Sequence, residues 1–203
     1  DHRGRANLLV ILIETQSRAD RAATLEEVWR IAERLDDDGL RADVLKLRGS
    51  EEFRAGDYSA AARSYRAAID ALQKIGDVFT LASVYVSYGR VFSAHGDYEG
   101  ALQRYRKAID LLEPTPERYA LTEALNASAI AMGLLGRTAD ALVFYERGLR
   151  MARESGNQRL IDFMEGNLAG GLMTAGQYAR AIPALEAVIA RKPEPSIAGY
   201  RYN

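Results

Sequence analysis

Gly56-Asp57-Tyr58 and Gly96-Asp97-Tyr98 set the frame of this sequence: the same tripeptide returns after forty residues. Forty further on stands Gly136, with Arg137 and Thr138, and forty beyond that Gly176, with Gln177 and Tyr178. Four more columns keep the register. Five residues after each glycine comes alanine (Ala61, Ala101, Ala141, Ala181), and nine after comes a large side chain (Tyr65, Tyr105, Tyr145, Leu185). Thirteen after comes an aliphatic residue (Ile69, Ile109, Leu149, Ile189), and seven before comes a very small one (Gly49, Gly89, Ala129, Ala169). Chance does not align five columns, and self-similarity at a period of this size marks a stack of repeated supersecondary units.

Within a unit the apolar spacing is helical. Tyr58, Ala61, Tyr65, Ala68, Ile69 and Leu72 step by three or four and fall on one stripe of a helix. A second amphipathic stretch precedes each glycine, as in Leu81, Val84, Tyr85, Tyr88, Val91 and Phe92. Each unit therefore reads as two helices joined by a tight turn. The glycine supplies the left-handed conformation that ends the first helix, and Asp57 or Asp97 caps the second. Small side chains in the columns of Gly49 and Ala61 let the two axes approach, and the bulky column of Tyr65 fills the space beyond. No strand signal is present, because β-branched residues are scattered and alternating runs are lacking.

The joints between units have their own marks. Gly76 and Gly156 share a repeat position that Pro116 takes in another copy, where Thr115-Pro116 reads as an N-cap followed by proline at the first helical position. The first forty residues fit the register less well. Spacing places the first turn near Asp20, and Thr24-Leu25-Glu26-Glu27 reads as a capping box opening a helix through Trp29 to about Leu35. Asp36-Asp37-Asp38 and Gly39 are expected to end it as solvated loop, since consecutive carboxylates point in different directions and make a poor metal site. The hairpins expected are 1–38, 40–76, 77–115, 116–156 and 157–193 within a single domain, with 194–203 as a tail or a truncated further repeat.

Composition narrows the function. Of 203 residues 48% are hydrophobic, enough for a substantial core, and 27 basic against 28 acidic side chains leave no general field to draw nucleic acid or anionic lipid. Of the 27 basic residues 23 are arginine, which points to a GC-rich genome more than to a nucleic-acid ligand. With no cysteine and two distant histidines, His2 and His95, there is no thiol chemistry, no metal-ligand cluster and no Ser/His/Asp set, and no phosphate-binding loop is present. The reading is a non-enzyme without cofactor or metal. The longest apolar run, Leu8 to Ile13, is too short to cross a bilayer and no signal peptide is visible, so a soluble cytoplasmic protein is expected. A start at Asp1 rather than Met is consistent with a piece of a longer chain.

The pattern of small residue, Gly-x-Tyr, Ala, aromatic and terminal Pro resembles the tetratricopeptide repeat. In the last unit Gly176, Tyr178, Ala181 and Pro193 fall where that family expects them, while Leu185 replaces the aromatic; the unit before departs further, with Thr138 for tyrosine and Gly148 for alanine. A forty-residue unit is similar to the long-helix variety of kinesin light chains, peptide-sensing bacterial regulators and sensor arms of bacterial signalling proteins. The resemblance implies an all-α, right-handed superhelical solenoid of about five antiparallel hairpins, with a concave groove lined by the first helix of each pair.

That groove is the expected site for a protein or peptide segment. The resemblance places Lys46 and Ser50, Ser83, Val86, Ser87 and Arg90, Asn126 and Ile130, and Phe163, Asn167 and Met173 along it. Asn126 and Asn167 carry both donor and acceptor and suit the amides of an extended chain. Asn167-Leu168-Ala169 is similar to the Asn-Leu-Gly segment with which peptide-binding members grip a main chain. Lys46 and Arg90 would hold a carboxylate, and Val86, Ile130, Phe163 and Met173 would line apolar pockets. The function expected is the sensor or scaffold arm of a larger bacterial regulatory protein, with a stand-alone peptide receptor of quorum-sensing type or a structural self-association arm as alternatives. No nucleic acid and no membrane is expected as partner, and the solenoid ends offer a route to a homo-oligomer.

Overall fold

A computed structural model describes residues 2–13 and 18–191, and among these it contains ten α-helices. They are α1 (His2–Leu12), α2 (Arg18–Leu35), α3 (Asp38–Arg54), α4 (Tyr58–Ile75), α5 (Val78–Ala94), α6 (Tyr98–Leu112), α7 (Arg118–Leu134), α8 (Thr138–Ser155), α9 (Gln158–Thr174) and α10 (Tyr178–Arg191). Each odd-numbered helix packs antiparallel on the even-numbered one that follows, and successive hairpins stack into a solenoid. The odd-numbered helices α1, α3, α5, α7 and α9 also touch one another in order along one side. The even-numbered helices lie outside them and make no such contacts among the described residues, so the stack curves with α3, α5, α7 and α9 on its inner face.

The repeat columns explain this packing. Ala61, Ala101, Ala141 and Ala181 are all buried, as are Tyr65, Tyr105 and Tyr145. The close approach at Gly49 and Gly89 is set by those rings: a Cβ on Gly89 would lie 2.4 Å from Cε1 of Tyr105, and one on Gly49 would lie 2.8 Å from Cε1 of Tyr65. Gly56, Gly96, Gly136 and Gly176 all take φ between 72° and 80°, the left-handed region that closes each hairpin. Asp57 and Asp97 then accept from the backbone N–H of Ala60 and Gly100, as their position requires. The last hairpin departs from its columns, because Ile189 is exposed where Ile69, Ile109 and Leu149 are buried.

Three local expectations need correction. Thr24 does not open a helix: α2 already begins at Arg18, and the Thr24 hydroxyl donates to the carbonyl of Asp20 one turn back. Asp20, near which the first turn was expected, therefore lies inside α2, and residues 14–17 fall outside the described residues. α2 does end at Leu35, and within the run expected to stop it Gly39 is not the residue that does so. Asp36 takes that role at φ 53°, and Asp37 caps α3 by accepting from the N–H of Gly39 and Leu40. The acidic run is also less solvated than expected, since Asp37 meets Arg3 at 3.1 Å and Asp38 meets Arg41 at 2.9 Å. Finally, Thr115 is not the N-cap of α7. That cap is Glu117, and Thr115 instead bridges the turn, donating to the Leu112 carbonyl and accepting from the Glu117 N–H. Pro193 and the expected tail at 194–203 lie outside the described residues.

Candidate functional site

The inner face of the stack holds two adjoining hollows. One, of about 320 Å³, is walled by Phe53, Arg90, Ser93, Tyr105, Glu123, Asn126, Ala127, Ile130 and Phe163. The other, of about 210 Å³, is walled by Ser50, Phe53, Arg54, Tyr65, Ser87 and Arg90. They share Phe53 and Arg90, so together they form one trough crossing α3, α5, α7 and α9. The helical period places these residues on the same side: Ser87 and Arg90 are three apart on α5, as are Glu123 and Asn126 on α7, with Ala127 and Ile130 one step on.

Six of the expected residues therefore come together here: Ser50, Ser87, Arg90, Asn126, Ile130 and Phe163. Arg90 reaches Glu123 only at 4.0 Å, and both side chains are roughly half exposed, which leaves the guanidinium available to a carboxylate. Asn126, nearly buried on α7, accepts through its carbonyl oxygen from the side-chain amide of Asn167 on α9 at 2.8 Å. The pair ties two neighbouring hairpins and keeps the Asn126 amide and the Asn167 carbonyl oxygen for a further ligand.

The other expected residues divide differently. Val86 is buried in the core cluster and is not among the residues that wall the two hollows, so its side chain is spent on packing and not on the apolar wall expected of it. Lys46 sits away from the hollows and pairs with Asp43 one turn back at 3.5 Å. Ser83 is exposed near the start of α5, and Met173 is exposed near the end of α9. His95 ends α5, and its ring meets the edge of Tyr58 at 5.1 Å.

Sequence reasoning missed that the packing tyrosines also reach the trough. Their rings fill the hairpins, but the hydroxyl of Tyr65 lies 3.2 Å from that of Ser50, and the hydroxyl of Tyr105 lies 3.2 Å from that of Ser93. Burial raises the phenol of Tyr65, opposed by its bonds to Ser50 and Ser87; burial likewise raises Tyr105, opposed by its bond to Ser93. Both stay neutral at physiological pH and keep an O–H to donate. The recurrence of tyrosine at this position was the available signal, but it argues equally for packing alone.

The trough thus offers neutral hydroxyls, a linked amide pair, one accessible guanidinium and the exposed apolar surfaces of Ile130 and Phe163. These groups suit recognition of an extended chain. Among the described residues no group of three or more His, Asp or Glu side chains is placed to hold a metal ion, and no helix is long and apolar enough to cross a membrane.

Residues 80–154 match the family model of the tetratricopeptide repeat. No curated protein sequence matches the chain. Among solved structures, BtubC (BKLC) from P. vanneervenii superposes with a TM-score of 0.80 at 16% identity, covering 98% of this chain and 82% of that one. A signal transduction ATPase with numerous domains from Pyrococcus horikoshii, which has a tetratricopeptide repeat sensor, gives 0.78 at 14% identity over 94% of this chain and 30% of that one. The Rap conjugation gene regulator of a plasmid, solved with the Phr* peptide, gives 0.64 at 17% identity over 79% of this chain and 45% of its own. This chain therefore spans less than half the length of the last two. At these identities the likeness is one of fold: a solenoid of tetratricopeptide-like hairpins.

Proposed function

From a chain that folds throughout as tetratricopeptide-like hairpins, we propose a protein- or peptide-binding module that holds an extended segment in its inner trough. The observation that carries this reading is the continuity of the two hollows around Arg90, with the Asn126–Asn167 pair beside them. An extended chain needs amide partners along its length, apolar recesses for side chains and an anchor for charge, and these line one curved wall. Lys46, Ser83 and Met173 extend the same face beyond the hollows and serve as its outer contacts. The module acts as the sensor or scaffold arm of a larger bacterial regulatory protein in the cytoplasm, without catalysis of its own. The similarity to a fold that serves as sensor in the Pyrococcus protein favours this role. The Rap regulator solved with a peptide favours, as a second reading, a stand-alone peptide receptor.

A photo-crosslinking residue placed at Ile130, which is exposed on the wall of the trough, tests the site in cells. Expected is a discrete adduct whose yield falls roughly tenfold in the double variant Asn126→Ala, Asn167→Ala, the loss of one or two well-made hydrogen bonds. The same residue placed at Ile182, exposed on the outer helix α10, serves as comparison. An adduct that survives the double substitution unchanged overturns the assignment of the trough.

A further inference from the structure

A hollow larger than either of those in the trough opens on the outer side of the stack, and it exists because one residue of a repeat column is missing its bulk. The position eight residues before each turn glycine carries Arg48, Tyr88, Ser128 and Leu168. Three of these are large. Tyr88 points outward between α4 and α6, where its hydroxyl accepts from the guanidinium of Arg66 at 3.4 Å and its ring lies under the guanidinium of Arg104, 5.4 Å away. One repeat on, Ser128 replaces Tyr88, and its short side chain turns back to donate to the Ala124 carbonyl. The partner that held the phenol is kept: Arg106 stands forty residues after Arg66.

The result is an outward cleft of about 700 Å³ between α6 and α8, floored by Ser128 and Met132 and walled by Leu102, Phe144 and Arg106. Two ion pairs span it, Arg137 with Glu99 at 3.6 Å and Arg147 with Glu113. Arg106 is exposed and, unlike Arg66, has no hydroxyl to donate to.

The geometry points to a docking site for a partner protein's tyrosine, whose ring takes in this cleft the place that Tyr88 takes between α4 and α6. The ring packs against Met132, Leu102 and Phe144, and the phenol oxygen accepts from Arg106. The cleft is larger than one side chain, so residues flanking the tyrosine are covered as well. Tyrosine is favoured over phenylalanine because the ring would otherwise leave the guanidinium without its acceptor, and over an aliphatic residue because the neighbouring occupant is aromatic.

The probes are an alanine pentapeptide with a central tyrosine, the same peptide with phenylalanine or leucine, and free p-cresol, titrated into the full chain while the Met132 methyl and the Ser128 amide are followed by NMR. The tyrosine peptide is expected to shift both signals with a Kd on the order of 1 mM, roughly tenfold tighter than the phenylalanine peptide. Ser128→Tyr should fill the cleft from within, abolish those shifts and raise Tm by about 2–4 °C. Arg106→Leu, at an exposed position that leaves the fold intact, should remove the preference for tyrosine over phenylalanine while retaining ring binding. The proposal is overturned if neither signal moves, if the three peptides bind alike, or if p-cresol binds and the peptide does not, which would make this a small-molecule cavity. Concentration-dependent self-association abolished by Ser128→Tyr would assign the cleft to a second copy of this chain and overturn it too.

Discussion

Gly89 and Gly166 both lie within helices, and ordinary propensity says that alanine should stabilise either by roughly 0.5–1 kcal/mol. Their surroundings separate them. A Cβ on Gly166 meets nothing within 4 Å, whereas one on Gly89 meets the Tyr105 ring at 2.4 Å, and that ring is locked in the core. Gly166→Ala is expected to raise stability by that amount, while Gly89→Ala should lower it by about 1–3 kcal/mol, measured by urea unfolding. Opposite signs for one substitution would attribute the small column to packing; equal signs would remove that explanation. At this scale the sequence is informative where a residue recurs, because recurrence averages out accident. It is poor where one residue acts once: Asp36 at a positive φ carries no mark that distinguishes it from Asp37 and Asp38. The gap left by Ser128 was visible as a break in its column, yet a serine on a helix face draws no attention until the neighbouring tyrosine is seen in place.

Helix boundaries follow the same division. From α3 to α9 the turns are fixed by glycines or by the cap residues beside them. The first hairpin lacks that glycine, so spacing alone had to place its turn and put it at Asp20, inside α2. The last helix contains Pro183, which removes a backbone donor and leaves the Ala179 carbonyl without its usual partner. An interior proline costs up to ~3 kcal/mol of helix stability. Pro183→Ala should therefore slow amide exchange across α10 markedly and leave α4 and α6 unchanged. A stack couples each hairpin mainly to its neighbours, so the gain stays local. Unchanged exchange in α10 would mean that packing on α9 alone sets its stability. The candidate site was legible to a comparable degree: the inner-face residues follow from the helical period, but which of them are buried, as Val86 is, depends on both flanking hairpins.

Across the molecule, Tyr65, Tyr105 and Tyr145 recur in three successive hairpins, and burial pushes the phenol of each upward. A raised folded value means that the neutral ring is favoured in the fold, so its stabilisation is complete below the unfolded value of about 10 and is lost as pH rises through the folded value. Alkaline titration should thus unfold several hairpins in one narrow range. Tyr105→Phe should flatten the fall in urea stability between about pH 9 and 12, relative to the parent chain, because one of the coupled ionisations is gone. An identical fall in both proteins would show that these rings are not what limits the alkaline range.

The inner helices touch in sequence while the outer ones stand further apart, bridged among the described residues by surface ion pairs, two of them at α6 and α8 and one, Arg180 with Glu146, between α8 and α10. Such a body bends as a book does, with its spine on the trough side and its pages free at the fore-edge. Flexing it barely alters the lengths along the spine but opens or pinches the gap between pages, and salt loosens the clasps that hold that gap. Whatever changes the curvature of this chain is therefore felt first on the face opposite the trough.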